Sequence, residues 1–482
     1  MVRSAKHRIA VLAAIAWIAW KMAYLAQYLA LPFLLGPVFD AVVYLRQAEA
    51  IAEGHFGDPT LLAFSPLYGY MLAAVSGSAL VVVLIQLLLG LLCVALVYTI
   101  AERFAPNAGA PGAALYAGYG VFLFFETKVY SETLGLTLVL GALAFYVSRR
   151  FEEGAMAAVA RVAFASGLLL GLAVLARASL LFAAPLFVVA ALVPRLPRAE
   201  PARTRLVRSA ALAAGLGLIL FGNGAWNFAN TGFFVPVIFV SRTVAATTSG
   251  PWTGTLPRVD PDRMPSAWDV VHQADDRLHG RAHPSAPGWG IDLAGYARNA
   301  PRKLVETFSD TEHTHDYGYY GERSEIAALH MTPVTFGALA LLAAAGAFLL
   351  VRRAGWRRIV PLAPLFFGTI VTTTLYHPST RYRLPLVLVL VVLASVAVSA
   401  ALRADIRWRI GVAALLLVFA VRGFTHQLEN PAWWELRVAE AAQAAGDSGE
   451  VNRRIARARQ LAPDDVELEQ RIRGLTLHRP GT

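Results

Sequence analysis

Cysteine is all but missing from this chain. Cys93 stands alone among 482 residues, which excludes an intramolecular disulfide framework. Charge is scarce too, at 16% of residues against 57% apolar, where soluble domains carry about 25% charged residues. The sequence has no glycine-rich phosphate loop, no HExxH helix and no Ser-His-Asp signature. A disulfide scaffold, an ordinary soluble domain and the common nucleotide-binding and zinc-protease classes are thereby set aside. The net charge of +11 does not point to nucleic acid, because the arginines cluster in short segments between apolar runs. There they report membrane topology.

What the chain does have is a series of Leu/Ala/Val runs, each near the roughly 20 residues a helix needs to cross a bilayer. Only helices and closed barrels satisfy every backbone group in lipid, and these runs do not alternate. They predict an all-α polytopic membrane protein of about eleven spans. The spans fall near 9–31, 78–101, 112–126, 130–147, 162–177, 179–194, 209–229, 333–351, 359–376, 384–402 and 410–424. The first contains Lys21 and no convincing cleavage site, so it reads as an uncleaved span. Cations gather in alternate connections, at Arg3/Lys6/Arg8, Arg103, Arg149/Arg150/Arg161, residues 194–208, Arg352/Arg353/Arg357/Arg358 and Arg403/Arg407/Arg409. The positive-inside rule puts the N-terminus in the cytoplasm, and an odd span count puts the C-terminus outside.

Four regions follow. Residues 1–229 form an N-terminal transmembrane module with a first exterior loop that carries interfacial helices. Residues 230–332 are a long exterior loop, mostly irregular with a helix near 292–308. Residues 333–424 hold the later spans, and 425–482 form a small exterior helical tail. The tail reads helix, Gly-Asp turn, helix, then a Pro-Asp helix start. It resembles a tetratricopeptide hairpin, with Ala441, Ala445, Ala456 and Ala458 as small packing positions.

On this topology the unusual polar residues collect at the exterior face. Asp40 directly follows the first span, where it either caps a helix over 41–53 or serves as a reactive carboxylate. Tyr44 and Tyr68 of the same loop are candidate substrate contacts, and Tyr68 equally suits an interface anchor. The ETKVYSE connection sets Glu126, Lys128 and Glu132 between two short spans. Arg177 either snorkels to the headgroups or clamps a phosphate. In YHPSTRYRLPL, Arg381 and Arg383 lie outside, against the positive-inside bias, and their forked donors suit phosphate oxygens. His377 and Tyr382 add hydrogen-bonding groups there. Glu312, His313, His315 and Asp316 are metal-ligand types but match no zinc spacing, so a divalent metal is possible but not indicated and no cofactor is required.

The order of these motifs resembles a known family. FDAVVYLRQAEAIAEG, FSPLYGYMLAA, VYSETLG, GLAVLARASLL and HPSTRYRLPL are similar to segments of bacterial membrane glycosyltransferases of the GT-C superfamily, nearest the family 39-like, protein-mannosyltransferase-related proteins. The resemblance covers roughly residues 9–424. Two departures stand out: Ala41 follows Asp40 where many relatives carry a second acid, and SPLY replaces a PPxY-like segment. The resemblance implies a sugar donor on a polyprenyl phosphate, an acceptor hydroxyl, Asp40 as catalytic base and Arg381 and Arg383 on the lipid phosphate. It also implies a multi-pass location in a bacterial inner membrane among its lipids, with no role for nucleic acid. The chemistry is coherent: a carboxylate takes the acceptor's proton, cations stabilise the leaving phosphate, and one displacement inverts the anomeric carbon. Two other readings are a lipid-linked glycan transporter, which calls for broken helices at the midplane, and a scaffold acting through the tail.

Overall fold

A computed structural model of the protein describes residues 2–153, 155–194, 200–239, 267–281, 293–312, 314, 317–425 and 431–477. Among these residues there are helices and no strands. Six helices are long and apolar enough to cross a membrane: Ala79–Phe104, Met156–Ala176, Ala202–Thr231, Phe336–Ala354, Trp356–Leu375 and Thr380–Arg403. Glu132–Tyr146 and Ala178–Ala190 are shorter apolar helices, and Val2–Tyr28 and Ile406–Thr425 are further long helices among the described residues.

The segment expected as one span at 112–126 is two helices, Gly109–Gly118 and Gly120–Glu126, with Tyr119 extended between them. The break is tolerated because Gly118 gives its carbonyl to the Val334 amide at 3.2 Å, so the interrupted ladder is satisfied from a neighbouring segment. The 179–194 segment likewise begins as a 3-10 helix, Ala178–Phe182, before Ala184–Ala190.

Small residues set the closest helix approaches. A Cβ on Gly167 would lie 2.1 Å from the Leu212 carbonyl oxygen, and one on Gly215 would lie 2.3 Å from that of Phe164. Met156–Ala176 and Ala202–Thr231 therefore meet backbone to backbone, the small-residue contact of membrane helices. Thr380–Arg403 is buried along most of its length, between Phe336–Ala354 and the N-terminal bundle. Arg208, in a segment that reads as a topological cation cluster, is instead fully buried and paired with Glu200 at 2.9 Å.

The first loop carries the interfacial helices Asp40–Ala52, Pro59–Ala63 and Pro66–Ala74. The long loop supplies Leu293–Thr307, close to its expected place, and an additional helix, Ala267–Leu278, whose Val271 and Ala274 cover Val43 and Leu62. The tail forms Pro431–Ala444, Ser448–Leu461 and Val466–Leu477, with Gly446 at φ 78° in the turn. Ala441 and Ala458 are buried there, whereas Ala456 faces outward and Ala445 is half-buried. This tail also packs on the membrane module through Phe33, Gly36 and Phe39.

Candidate active site

Four helix ends converge on one group of charges. Asp40 opens the Asp40–Ala52 helix, Glu132 opens Glu132–Tyr146, Arg177 follows the last turn of Met156–Ala176, and Arg381 lies in the first turn of Thr380–Arg403. Arg381 Nη1 donates to Asp40 Oδ2 at 2.8 Å and its Nε donates to Glu132 Oε1 at 2.7 Å. Arg177 pairs with the same Glu132 oxygen at 2.5 Å and also donates to the Arg381 carbonyl. Among the described residues, two carboxylates and two guanidinium groups thus form a linked quartet. Arg381 also lies 4.6 Å from the centre of the Tyr130 ring.

Asp40 is the first helical residue, not the cap. Phe39 holds the cap position with φ 56° and ψ −135°. A carboxylate in the first turn is stabilised by the helix dipole, and here it also faces a cation. Burial separates the members of the quartet. Glu132 and Arg177 are sealed, whereas the Asp40 and Arg381 side chains keep 19% and 15% of their exposure. The outer pair is open to a ligand, and the inner pair anchors it.

Arg383, two residues beyond Arg381, faces elsewhere. Its guanidinium is buried, pairs with Glu312 at 2.7 Å, donates to the carbonyls of Ser309 and Thr311 and lies 4.0 Å from the Phe336 ring. Residues i and i+2 of a helix point to nearly opposite sides, so the two arginines do not share a ligand. Glu312 is this arginine's counterion and also accepts from Tyr119 at 2.5 Å and Thr380 at 2.9 Å. Its neighbours His313, His315 and Asp316 lie outside the described residues. Among the described residues no three His, Cys, Asp or Glu side chains cluster as a metal site does.

Below the quartet lies a closed polar layer. Tyr44 donates or accepts with Ser131 at 3.2 Å and stands edge-on to Tyr68, whose hydroxyl donates to Gln86 at 2.9 Å. Gln86 in turn donates to the carbonyls of Glu126 and Lys128. Lys128 pairs with Glu322 at 2.7 Å and lies 4.0 Å from the Tyr28 ring, and Tyr24 donates to the same Glu322. Burial pushes the Lys128 ammonium down to about 8 and the Glu322 carboxyl up, each opposed by the attraction of its partner. Glu126 pairs with Lys21. Tyr44, Tyr68, Glu126 and Lys128 are therefore buried under the site and not displayed in it. His377 and Tyr382 sit at its rim, stacked edge to face, with Arg177 5.7 Å from the Tyr382 ring.

Asp40, Glu132, Arg177 and Arg381 stand out in the sequence as candidate site residues, whereas Glu322, Tyr24 and Gln86 do not. One signal for this layer was present in Lys21 itself, since an ammonium within an apolar run requires a buried partner.

No family model and no curated protein matches the chain. Solved structures similar to it include the Archaeoglobus fulgidus oligosaccharyltransferase tethered with an acceptor peptide containing the NVT sequon, at 12% identity and TM-score 0.47 over 87% of this chain and 56% of that one. A second is archaeal oligosaccharyltransferase AglB from the same organism, in complex with an inhibitory peptide and a dolichol-phosphate, at 14% identity and TM-score 0.46 over 90% and 59%. A third is ArnT from Cupriavidus metallidurans in the apo state, at 16% identity and TM-score 0.31 over 87% and 85%. The chain thus spans little more than half the length of the oligosaccharyltransferase chains it matches. The chain is a multi-pass, all-α membrane protein.

Proposed function

We propose that the protein is a GT-C-type glycosyltransferase that moves a sugar from a polyprenyl-phosphate donor to an acceptor hydroxyl. The observation that carries this reading is the half-open Asp40–Arg381 pair on a sealed Glu132–Arg177 base. A donor phosphate has the geometry to replace the Asp40 carboxylate on the Arg381 fork, since guanidinium binds carboxylate and phosphate alike. That exchange neutralises the leaving group and frees Asp40 at the same moment. The acceptor oxygen then bonds to the anomeric carbon, the bond from that carbon to the phosphate oxygen breaks with its electron pair going to phosphate, and Asp40 takes the hydroxyl proton. A single displacement inverts the configuration.

In this reading Arg177 and Glu132 hold Arg381 in place, and Tyr382 and His377 border the donor. Arg383 with Glu312, and Lys128 with Glu322, brace the helices behind the site. No residue role requires a metal. The exterior face of a bacterial inner membrane is the proposed location, with the N-terminus cytoplasmic and the C-terminal tail outside. Membrane lipids surround it, and the acceptor is a protein, lipid or glycan hydroxyl.

The test is Asp40→Asn in purified protein supplied with radiolabelled polyprenyl-phosphate-linked sugars. The expected result is a folded protein that still binds undecaprenyl phosphate and transfers sugar at least about a hundredfold more slowly, as loss of a general base predicts. Full transfer by the folded variant would remove Asp40 from the mechanism.

A further inference from the structure

The tail reaches the residue next to Asp40. Phe39 has φ 56°, a conformation that bulky L residues rarely adopt and that persists only where the surroundings over-determine it. The Phe39 ring meets Tyr317 edge-on at 6.1 Å and the tail helix Pro431–Ala444. The Arg437 guanidinium lies 4.4 Å from the centre of the Phe39 ring. Trp434, one turn earlier, meets Phe33 at 5.6 Å and donates to Glu325 at 2.6 Å. Ala441, one turn later, puts its carbonyl oxygen 1.8 Å from where a Cβ on Gly36 would be, so only glycine permits that approach. Residues 434, 437 and 441 form one face of the helix, and that face lies along residues 33–39. The grip is fastened from behind by Arg454, which pairs with both Glu325 oxygens at 2.7 and 2.9 Å.

We propose that the C-terminal tail is a positioning element of the active site, with Arg437 holding Phe39 in its positive-φ conformation so that Asp40 stays opposite Arg381. The catalytic half of this proposal rests on Asp40 as the base. Arg437 is not a member of the quartet; it acts on Asp40 through Phe39.

The experiment uses the full chain in detergent and compares Arg437→Ala, Arg437→Lys and Asp40→Asn, with Arg459→Ala, which breaks the tail's pair with Glu469 at 2.9 Å, as control. Amide exchange over residues 38–44 and sugar transfer are both measured. Arg437→Ala is expected to exchange at least about threefold faster over 38–44 and to lose about tenfold in kcat, as misplacement of a catalytic group does. Its KM for the lipid-linked donor and its thermal midpoint stay near those of the parent. Arg437→Lys, which retains a cation over the ring, restores both exchange and kcat, and Arg459→Ala changes neither. Unchanged exchange in Arg437→Ala overturns the proposal outright. Faster exchange with parental kcat, while Asp40→Asn is inactive, overturns the positioning role and leaves the base in place. Full activity of Asp40→Asn overturns the base, and with it the catalytic half of the proposal.

Discussion

Arg381 joins Asp40 and Glu132 with two different nitrogens, Nη1 at 2.8 Å and Nε at 2.7 Å. A lysine has a single donor nitrogen and no planar fork, so it cannot meet a phosphate along two parallel bonds from separate nitrogens. Arg381→Lys is expected to weaken undecaprenyl phosphate binding roughly tenfold, the worth of one charge-assisted hydrogen bond. Binding to the detergent-purified variant, followed by calorimetry, checks it; parental affinity would show that the fork is not used.

Arg383 predicts the opposite pattern. Its guanidinium is buried against Glu312, so Arg383→Ala leaves an uncompensated carboxylate inside the bundle. A loss of about 3–5 kcal/mol in stability is expected, by the usual cost of breaking a buried pair. Lipid-phosphate affinity of whatever fraction stays folded should be unaltered. A weakened affinity without destabilisation would place Arg383 in the donor site after all.

A third prediction concerns Glu200 and Arg208, which pair at 2.9 Å out of contact with solvent. Glu200→Ala should lower stability by about 3–5 kcal/mol, whereas replacing both residues by apolar ones should recover only part of it, because the Ala191 and Val193 carbonyls that Arg208 serves lose their donor. Thermal midpoints of Glu200→Ala, Arg208→Ala and the double variant decide between this coupling and independent effects.

Docking of the tail should fail in acid. Burial alone would raise the Glu325 carboxyl, but hydrogen bonds from Arg454 and Trp434 outweigh it and hold its pKa below 4.5. A carboxyl lowered on folding contributes stability above its unfolded pKa and loses it as pH falls through the folded value. Exchange over residues 431–444 should therefore rise below about pH 4.5, where the linkage begins to weaken. Glu325→Gln should show the faster exchange already at neutral pH. An acid-insensitive tail would assign its anchorage to the aromatic contacts alone.

The architecture and the charged quartet were readable in the chain because each left a local mark. Apolar runs of spanning length mark the helices, and charges at the ends of those runs mark Asp40, Glu132, Arg177 and Arg381. The inward turn of Arg383 follows from helix rotation two residues beyond Arg381, but Glu312, which receives it, lies 71 residues earlier in the chain and nothing local pairs them. The interruption at Tyr119 depends on Val334 completing a distant backbone bond. The Phe39–Arg437 contact joins nearly opposite ends of the sequence, and neither residue stands out where it occurs. What escaped the sequence was long-range and made of ordinary residues.

Cys93 is buried, its sulfur 3.1 Å from the Thr137 hydroxyl. With no other thiol in the chain, dyes or spin labels will attach only where new cysteines are written in. A pair placed on the tail and the first loop would act as a molecular ruler, reading in real time whether the two separate while lipid arrives.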